Sequence, residues 1–405
     1  MSHAEVSPGG GTQHYPIVIV GGGTGGISVA ARLTRKVPAA HMAIIEPSEH
    51  HYYQPLWTLV GGGEATKEET VRNEGDLIPS GVTWIRERVT QFDPDHNRVT
   101  TSSGRQLSYD YLVVATGIQI DWHKVEGLAG QVGKGGIVSN YSYDTVDSTW
   151  EALQGLKSGQ ALFTHPATPI KCGGAPQKIM FLADDWLRKS GVRDQVKIDF
   201  FIAEPTIFKA QKYADVLTRL IAEKGINVHF RHHLVAVKPT EHLAIFENLD
   251  TKERKEVGYQ FLHVTPPMSA PDVLKASPLG NAGGWVDVDK HSLRHVKFPN
   301  VFALGDCSSL PTSKTGAAIR KQAPVLAENL LAALNGRPLP ASYDGYTSCP
   351  LVTGYGKLVL AEFDYDLQPR ESFPFDQGEE RLSMYWLKKY GLPPLYWHGM
   401  MNGWA

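Results

Sequence analysis

The feature that most constrains this chain is a cluster of glycines set between two apolar strands. Residues 16–20, Pro-Ile-Val-Ile-Val, form a continuous β-branched run, the pattern of a parallel strand buried on both faces. Gly21, Gly23 and Gly26 follow at once in G-x-G-x-x-G spacing. Residues 27–36 then carry helical apolar spacing and stop before Pro38, and residues 41–45 form a second strand closed by Glu46. A chain this rich in glycine would produce such a triplet roughly 0.4 times by chance, so the spacing alone decides little. Its setting decides more: a strand before it, a helix opening on it, and an acid at the end of the next strand. In a βαβ unit the first glycine permits the tight turn, the second admits a pyrophosphate to the backbone, and the third lets helix and strand pack closely. The helix N-terminus supplies amide donors and a positive dipole end, and Glu46 is placed to accept hydrogen bonds from a ribose.

The rest of the chain alternates in the same way. Strands are expected at 109–115, 160–164, 196–203, 228–230 and 300–304. Helices are expected at 179–189, 213–224 and 316–335, the last kinked at Pro324. This alternation predicts an α/β, doubly wound architecture. The 405 residues exceed one small domain and suggest two or three cores. After about residue 340 the texture changes. The chain becomes aromatic-rich and less periodic, and residues 381–405 hold Arg381, Lys388 and Lys389 but no acid.

Several function classes drop out. The formal net charge of −2 supplies no basic field for nucleic acid. The three cysteines, Cys172, Cys307 and Cys349, have no CxxC spacing and no histidine partners at ligand spacing, so neither a disulfide scaffold nor a metal site is expected. No run of about 18 apolar residues offers a spanning helix. Residues 1–14 read as a floppy tail without the apolar core of a signal peptide or the arginines of a mitochondrial presequence.

Two further segments specify which dinucleotide. Tyr109-Asp-Tyr-Leu-Val-Val-Ala-Thr-Gly117 and Asn300-Val-Phe-Ala-Leu-Gly-Asp306 resemble the strands that close over FAD in flavoproteins of glutathione-reductase-like architecture. By that resemblance Thr116 and Gly117 line the cofactor, and Gly305 and Asp306 precede a helix that faces the flavin, with Asp306 on the ribitol. Such flavoproteins carry a second Rossmann unit for NAD(P)H. Here the corresponding strand, 160–164, runs into His165-Pro-Ala-Thr-Pro-Ile-Lys-Cys-Gly-Gly-Ala-Pro-Gln177, with two prolines and a cysteine where bare amides should hold a pyrophosphate. The second unit is therefore expected to be Rossmann-shaped without a nicotinamide site. The implied division is a tail at 1–14, a discontinuous FAD-binding domain at 15–127 and 285–340, a second Rossmann-like domain at 128–284, and a C-terminal active-site, quinone and membrane-docking region at 341–405.

Taken singly, Cys172 and Cys349 read as small buried side chains at least as well as reactive thiols. Cys172 stands just ahead of a helix start, near Lys171 and Lys178, where a thiolate is favoured. Cys307, beside the late acidic motif, reads as a packed residue. The segments Lys171-Cys-Gly-Gly-Ala-Pro-Gln-Lys178 and Tyr346-Thr-Ser-Cys-Pro-Leu-Val-Thr-Gly354 resemble the active-site segments of sulfide:quinone oxidoreductases, in the two-cysteine branch that includes the mitochondrial enzyme and its bacterial relatives. So do His51-Tyr-Tyr-Gln-Pro-Leu56, His263-Val-Thr-Pro-Pro-Met268, Gly305-Asp-Cys-Ser-Ser-Leu-Pro-Thr-Ser-Lys-Thr315 and Ala361-Glu-Phe-Asp-Tyr365. The likeness runs from Tyr15 to Trp404. It adds Pro55 and Lys314 to the expected cofactor-binding residues.

The resemblance implies an FAD enzyme that oxidises hydrogen sulfide through a Cys172–Cys349 bridge, disulfide or trisulfide. Cys349 would carry the persulfide and Cys172 would face the flavin. Electrons would pass to quinone, ubiquinone by expectation, and the sulfane sulfur to glutathione, sulfite, cyanide or a second sulfide. The resemblance also implies a homo-oligomer, which no residue specifies. The C-terminal tail, aromatic and basic, suits a bilayer interface, with Lys388 and Lys389 meeting anionic headgroups; Tyr355 and Phe363 are candidates for quinone contact. Without a visible presequence, the expected location is a bacterial cytoplasmic membrane rather than the mitochondrial inner membrane. The alternative, a type II NADH:quinone dehydrogenase, needs the second glycine motif.

Overall fold

The computed structural model describes residues 12–405. The expected tail lies outside the described residues except for its last three. Of these, Gln13 and His14 already belong to the first strand, Gln13–Val20.

That strand sits at the centre of a seven-stranded sheet. It pairs in parallel with Met42–Ile45 on one side and Gln106–Val114 on the other. Thr83–Ile85 extends the sheet beyond Met42–Ile45, and Val301–Ala303 returns from far downstream to pair with the end of Gln106–Val114. The antiparallel strands Val89–Asp93 and Arg98–Thr101 complete it. Ile17, Val18, Ile19, Val113 and Val114 are buried, as a strand covered on both faces requires. The helix Thr24–Leu33 opens at Gly23.

A second sheet is parallel throughout, in the order Ile137–Val138, Phe261–His263, Gly159–His165, Val196–Ile202, Asn227–Phe230. Its helices are Ala175–Lys189 and Gln211–Lys224. The first starts four residues earlier than its apolar periodicity suggests, because Pro176 occupies the opening turn, where a missing amide costs nothing. A three-stranded antiparallel sheet, His232–Lys238, Leu243–Asn248 and Arg254–Gly258, follows. Its polar outer positions hid it from a search for buried runs.

The C-terminal region is more ordered than its texture suggests. Thr347–Gly354 and Lys357–Phe363 form a hairpin. The last stretch, from Leu382 to Met400, winds through short α- and π-helical turns. It is two-faced. Met384, Tyr385, Tyr396, Trp397, Met400 and Met401 are buried, while Leu382, Trp386, Tyr390, Leu395 and Trp404 are exposed. Among the described residues no helix is long and apolar enough to cross a membrane.

Candidate active site

The glycine loop is crowded where the first and third glycines stand. A Cβ on Gly21 would strike the Ala115 carbonyl, and one on Gly26 would strike the Gly21 carbonyl. Gly23 and Gly117 look onto open space, the cradle a pyrophosphate-bearing ligand requires. The Glu46 carboxylate accepts the Gly22 amide at 2.8 Å and the Ser48 amide at 2.7 Å, so it holds the loop itself. The Thr116 hydroxyl is buried, with the Cys307 thiol as its polar neighbour. These residues fit a dinucleotide.

The late acidic turn closes the same region. The Gly305 amide donates to Gln322 Oε1 at 2.8 Å. Lys314 Nζ donates to the Asp306 carbonyl at 2.6 Å and lies 3.9 Å above the Trp285 ring. Burial pushes the Asp306 carboxyl up, against the pull of Lys314 and Lys171. Burial also pulls the Lys314 ammonium down. The Cys172 amide donates to the Lys314 carbonyl at 2.8 Å, which ties this turn to the cysteine loop. Cys307 is fully buried and its thiol donates to backbone carbonyls, so it packs.

Cys172 and Cys349, 177 residues apart, meet with their sulfurs 3.7 Å apart. Two local features bring them together. Cys172 adopts φ 52°, a left-handed conformation rare for a side chain of this kind, and so turns into the helix Ala175–Lys189. At Gly174 a Cβ would run into Leu351, so glycine lets the helix start approach the strand that bears Cys349. Cys349 is fully buried there.

The pair shares its protons unequally. Lys178 Nζ donates to Cys172 Sγ at 3.2 Å. The Cys172 thiol pKa is held well below its usual range, first by the hydrogen bond from Cys349 and then, against burial, by the charges of Lys178 and Lys388. Cys349 moves the other way, through the same hydrogen bond, burial and the charge on Cys172. The arrangement is one thiolate and one thiol. Burial pulls the Lys178 ammonium down, yet the two sulfurs outweigh it and leave its pKa raised.

One expectation is corrected here. Lys388 does not face headgroups. It is 3% exposed, donates to the Pro55 carbonyl at 2.8 Å, and points into the cysteine chamber. Burial first, then repulsion by Lys178, lowers its pKa to about 7. Lys389 is engaged as well, pairing with Glu64 at 2.6 Å. The reason is helical geometry: a wide turn sends adjacent lysines to different sides, and composition carries no direction. The two candidates for quinone contact differ in their surroundings. Phe363 is buried edge-on against Phe208, whereas Tyr355 is half-buried with its hydroxyl on the Gly62 carbonyl at 2.6 Å.

Sequence reasoning also missed a latch. His51 bonds Glu74 at 3.0 Å and the Tyr396 hydroxyl at 2.5 Å, and that hydroxyl reaches Thr24 at 2.7 Å. The C-terminal segment is thereby fastened to the start of the first helix. Only the His51 segment carried a signal.

Comparisons with known proteins show the family. The family model described as pyridine nucleotide-disulphide oxidoreductase matches residues 15–151. The mitochondrial sulfide:quinone oxidoreductase of Mus musculus is 52% identical over 393 residues, covering 96% of this chain and 87% of the relative. That of Dictyostelium discoideum is 50% identical over 390 residues, covering 96% and 86%. Among solved structures, the sulfide:quinone oxidoreductase of Aquifex aeolicus matches with a TM-score of 0.82 at 23% identity, over 97% of this chain and 92% of the other, a likeness of fold. Both curated relatives are named mitochondrial, and the expectation of a bacterial membrane finds no support.

Proposed function

The chain belongs to the sulfide:quinone oxidoreductase family, and on that premise we propose that it oxidises sulfide at Cys172 and Cys349 with FAD as its flavin. The observation that carries the reading is the meeting of two distant cysteines at 3.7 Å beside an ammonium. Gly21, Gly23, Gly26, Glu46, Pro55, Thr116, Gly117, Gly305, Asp306 and Lys314 are the residues that would hold the FAD. They belong to a discontinuous domain at 15–127 and 285–340. Residues 128–284 form the second, nicotinamide-free unit, and 341–405 the active-site and docking region. The exposed face of Leu382, Trp386, Tyr390 and Leu395 would lie in a bilayer interface, where quinone is available.

In the oxidised pair the sulfurs are bridged. Hydrosulfide gives its electron pair to the Cys349 sulfur, the bridge breaks, and that bond's pair leaves on Cys172 Sγ. Cys349 then holds the added sulfur as a persulfide, and Lys178 holds the Cys172 thiolate. FAD held by these residues would supply the two-electron acceptor between the cysteine pair and quinone. The sulfane sulfur leaves to a second nucleophile such as glutathione, sulfite or sulfide. Over the cycle hydrosulfide yields two electrons, a proton and one sulfur atom, and quinone takes two electrons and two protons. A bridge re-forms as the pair is oxidised.

The test is anaerobic flavin absorbance with Na₂S, with NADH as control and a soluble quinone to reoxidise. Bleaching by sulfide alone is expected, lost in Cys172→Ser and Cys349→Ser with FAD retained. Near-normal turnover in either variant removes the assignment. Reduction by NADH instead would favour the type II dehydrogenase.

A further inference from the structure

One wall of the cysteine chamber has no task in the reading above. Tyr141 lies between the short strand Ile137–Val138 and the helix Val146–Gly155. It is 5% exposed and shares one cluster with Ile170, Met268 and Ala175, which flank the Cys172 turn on both sides. The Met268 thioether accepts the Lys171 amide at 3.3 Å, fixing that wall to the turn. Yet the Tyr141 hydroxyl is buried with no hydrogen-bonding neighbour beyond Thr265. Thr265, 2% exposed, sets a second buried hydroxyl against it, and the two can satisfy only one of their two O–H donors on each other. Buried polar groups are nearly always bonded, so the donor left over needs an explanation.

The chemistry of the pair offers one. At rest the Cys349 thiol supports the Cys172 thiolate. Once the Cys349 sulfur is bonded to a sulfane sulfur it has no proton to offer, and Cys172 leaves as an anion at that same moment. A sulfur anion accepts several long hydrogen bonds, and among the described residues Lys178 is the side-chain donor that remains on it. Burial raises the Tyr141 pKa, and the charge on Cys172 raises it further, so the phenol keeps its proton.

We propose that Tyr141, backed by Thr265, is the second hydrogen-bond donor to the Cys172 sulfur anion, taking over when Cys349 is occupied as a persulfide. This rests on Cys172 being the reacting thiolate. It makes Tyr141 a stabiliser of the leaving sulfur, distinct from the charge supplied by Lys178. The ionisable groups facing Cys172 are Lys178 on its own helix, Lys388 on the C-terminal segment, Asp306 after Val301–Ala303, and Cys349 on the hairpin.

The test removes the Cys349 donor first. In a Cys349→Ala background, the Cys172 thiolate absorbance of the reduced holoenzyme is titrated with and without Tyr141→Phe. The expected result is a midpoint about one pH unit higher, a tenfold loss of thiolate on the acid side. In the otherwise native enzyme, Tyr141→Phe should lower kcat/KM for sulfide about tenfold and leave KM for quinone unchanged. Thr265→Val should shift the midpoint the same way by less, and it carries the test if Tyr141→Phe does not hold FAD. Titrations that superimpose on Cys349→Ala alone overturn the proposal. The titration needs no sulfide turnover, so a native enzyme that sulfide does not reduce would remove the functional reading and leave this result separate.

Discussion

Replacing Lys178 with methionine removes a charge and keeps most of the stem. The ammonium lies 3.2 Å from Cys172 Sγ, and Lys178 is 3% exposed. Two unit charges at that distance attract by about 5 kcal/mol at an effective dielectric of 20. The whole of this is not lost. Lys178 repels Lys388 and holds it partly neutral, so removing one ammonium lets the other charge up and compensate. Keeping half leaves about 2.5 kcal/mol, or roughly two pKa units. The sign follows from the charge type. Lys178 favours the ionised form of an acid, so its loss raises the Cys172 pKa and thins the thiolate by about a hundredfold below the native midpoint, and by less between the native and the new one. Above that midpoint nothing changes. The assay is the rate of iodoacetamide alkylation of the reduced protein across the neutral pH range, with Lys178→Arg as the charge-restoring control. A Lys178→Met profile that overlays the native one would refute the argument that this ammonium sets the thiolate.

Lys388 should make stability depend on pH. Its folded pKa is about 7 against 10.5 in the unfolded chain, so the unfolded state binds more protons between those values and stability rises with pH through that window. Lys388→Met should therefore gain over the native protein by up to about 5 kcal/mol at neutral pH and below, with the gain shrinking towards pH 10. Melting temperatures across the window check this, and a constant difference would contradict it. Trp386 and Tyr390, 55% and 63% exposed, should carry vesicle binding. Changing both to glutamate is expected to weaken flotation with liposomes and slow quinone reduction while sulfide still bleaches the flavin; unchanged flotation would count against that face.

The dinucleotide half was legible because its constraints are local. Gly21, Gly26 and the strand before them are dictated by clashes that any reader of the loop can anticipate, and Gly23 by the open space it needs. The second parallel sheet was legible from apolar runs such as Val196–Ile202. The cysteine meeting was not, since nothing in the residues between them encodes a distance; the family resemblance supplied it. Lys388 and Tyr141 were missed for related reasons. A lysine in an aromatic tail looks interfacial, and its burial depends on which side of a π-helical turn it leaves. Tyr141 carries no spacing signal, and only the donor left over beside Thr265 draws notice.

The direction of Lys388 has a consequence for how the tail meets a membrane. The same few residues send Lys388 inward to the Pro55 carbonyl, Lys389 to Glu64, and Trp386 and Tyr390 to the surface. Tyr396 is latched through His51 to the helix that opens on the glycine loop, and Arg32 and Arg35 donate to the carbonyls of Ala405 and Asn402. A tail held at so many points cannot swing out to reach a bilayer without stripping an ammonium from the cysteine chamber and opening the cofactor loop. The proposed docking would therefore use the outer face in place, with the chamber wall and the membrane face as two sides of one segment. Removing residues 381–405 outright would then report on folding as much as on membranes, because it would also take away Met384, Tyr385, Tyr396, Trp397 and Met400 from the core. Point changes on the outer face separate the two roles.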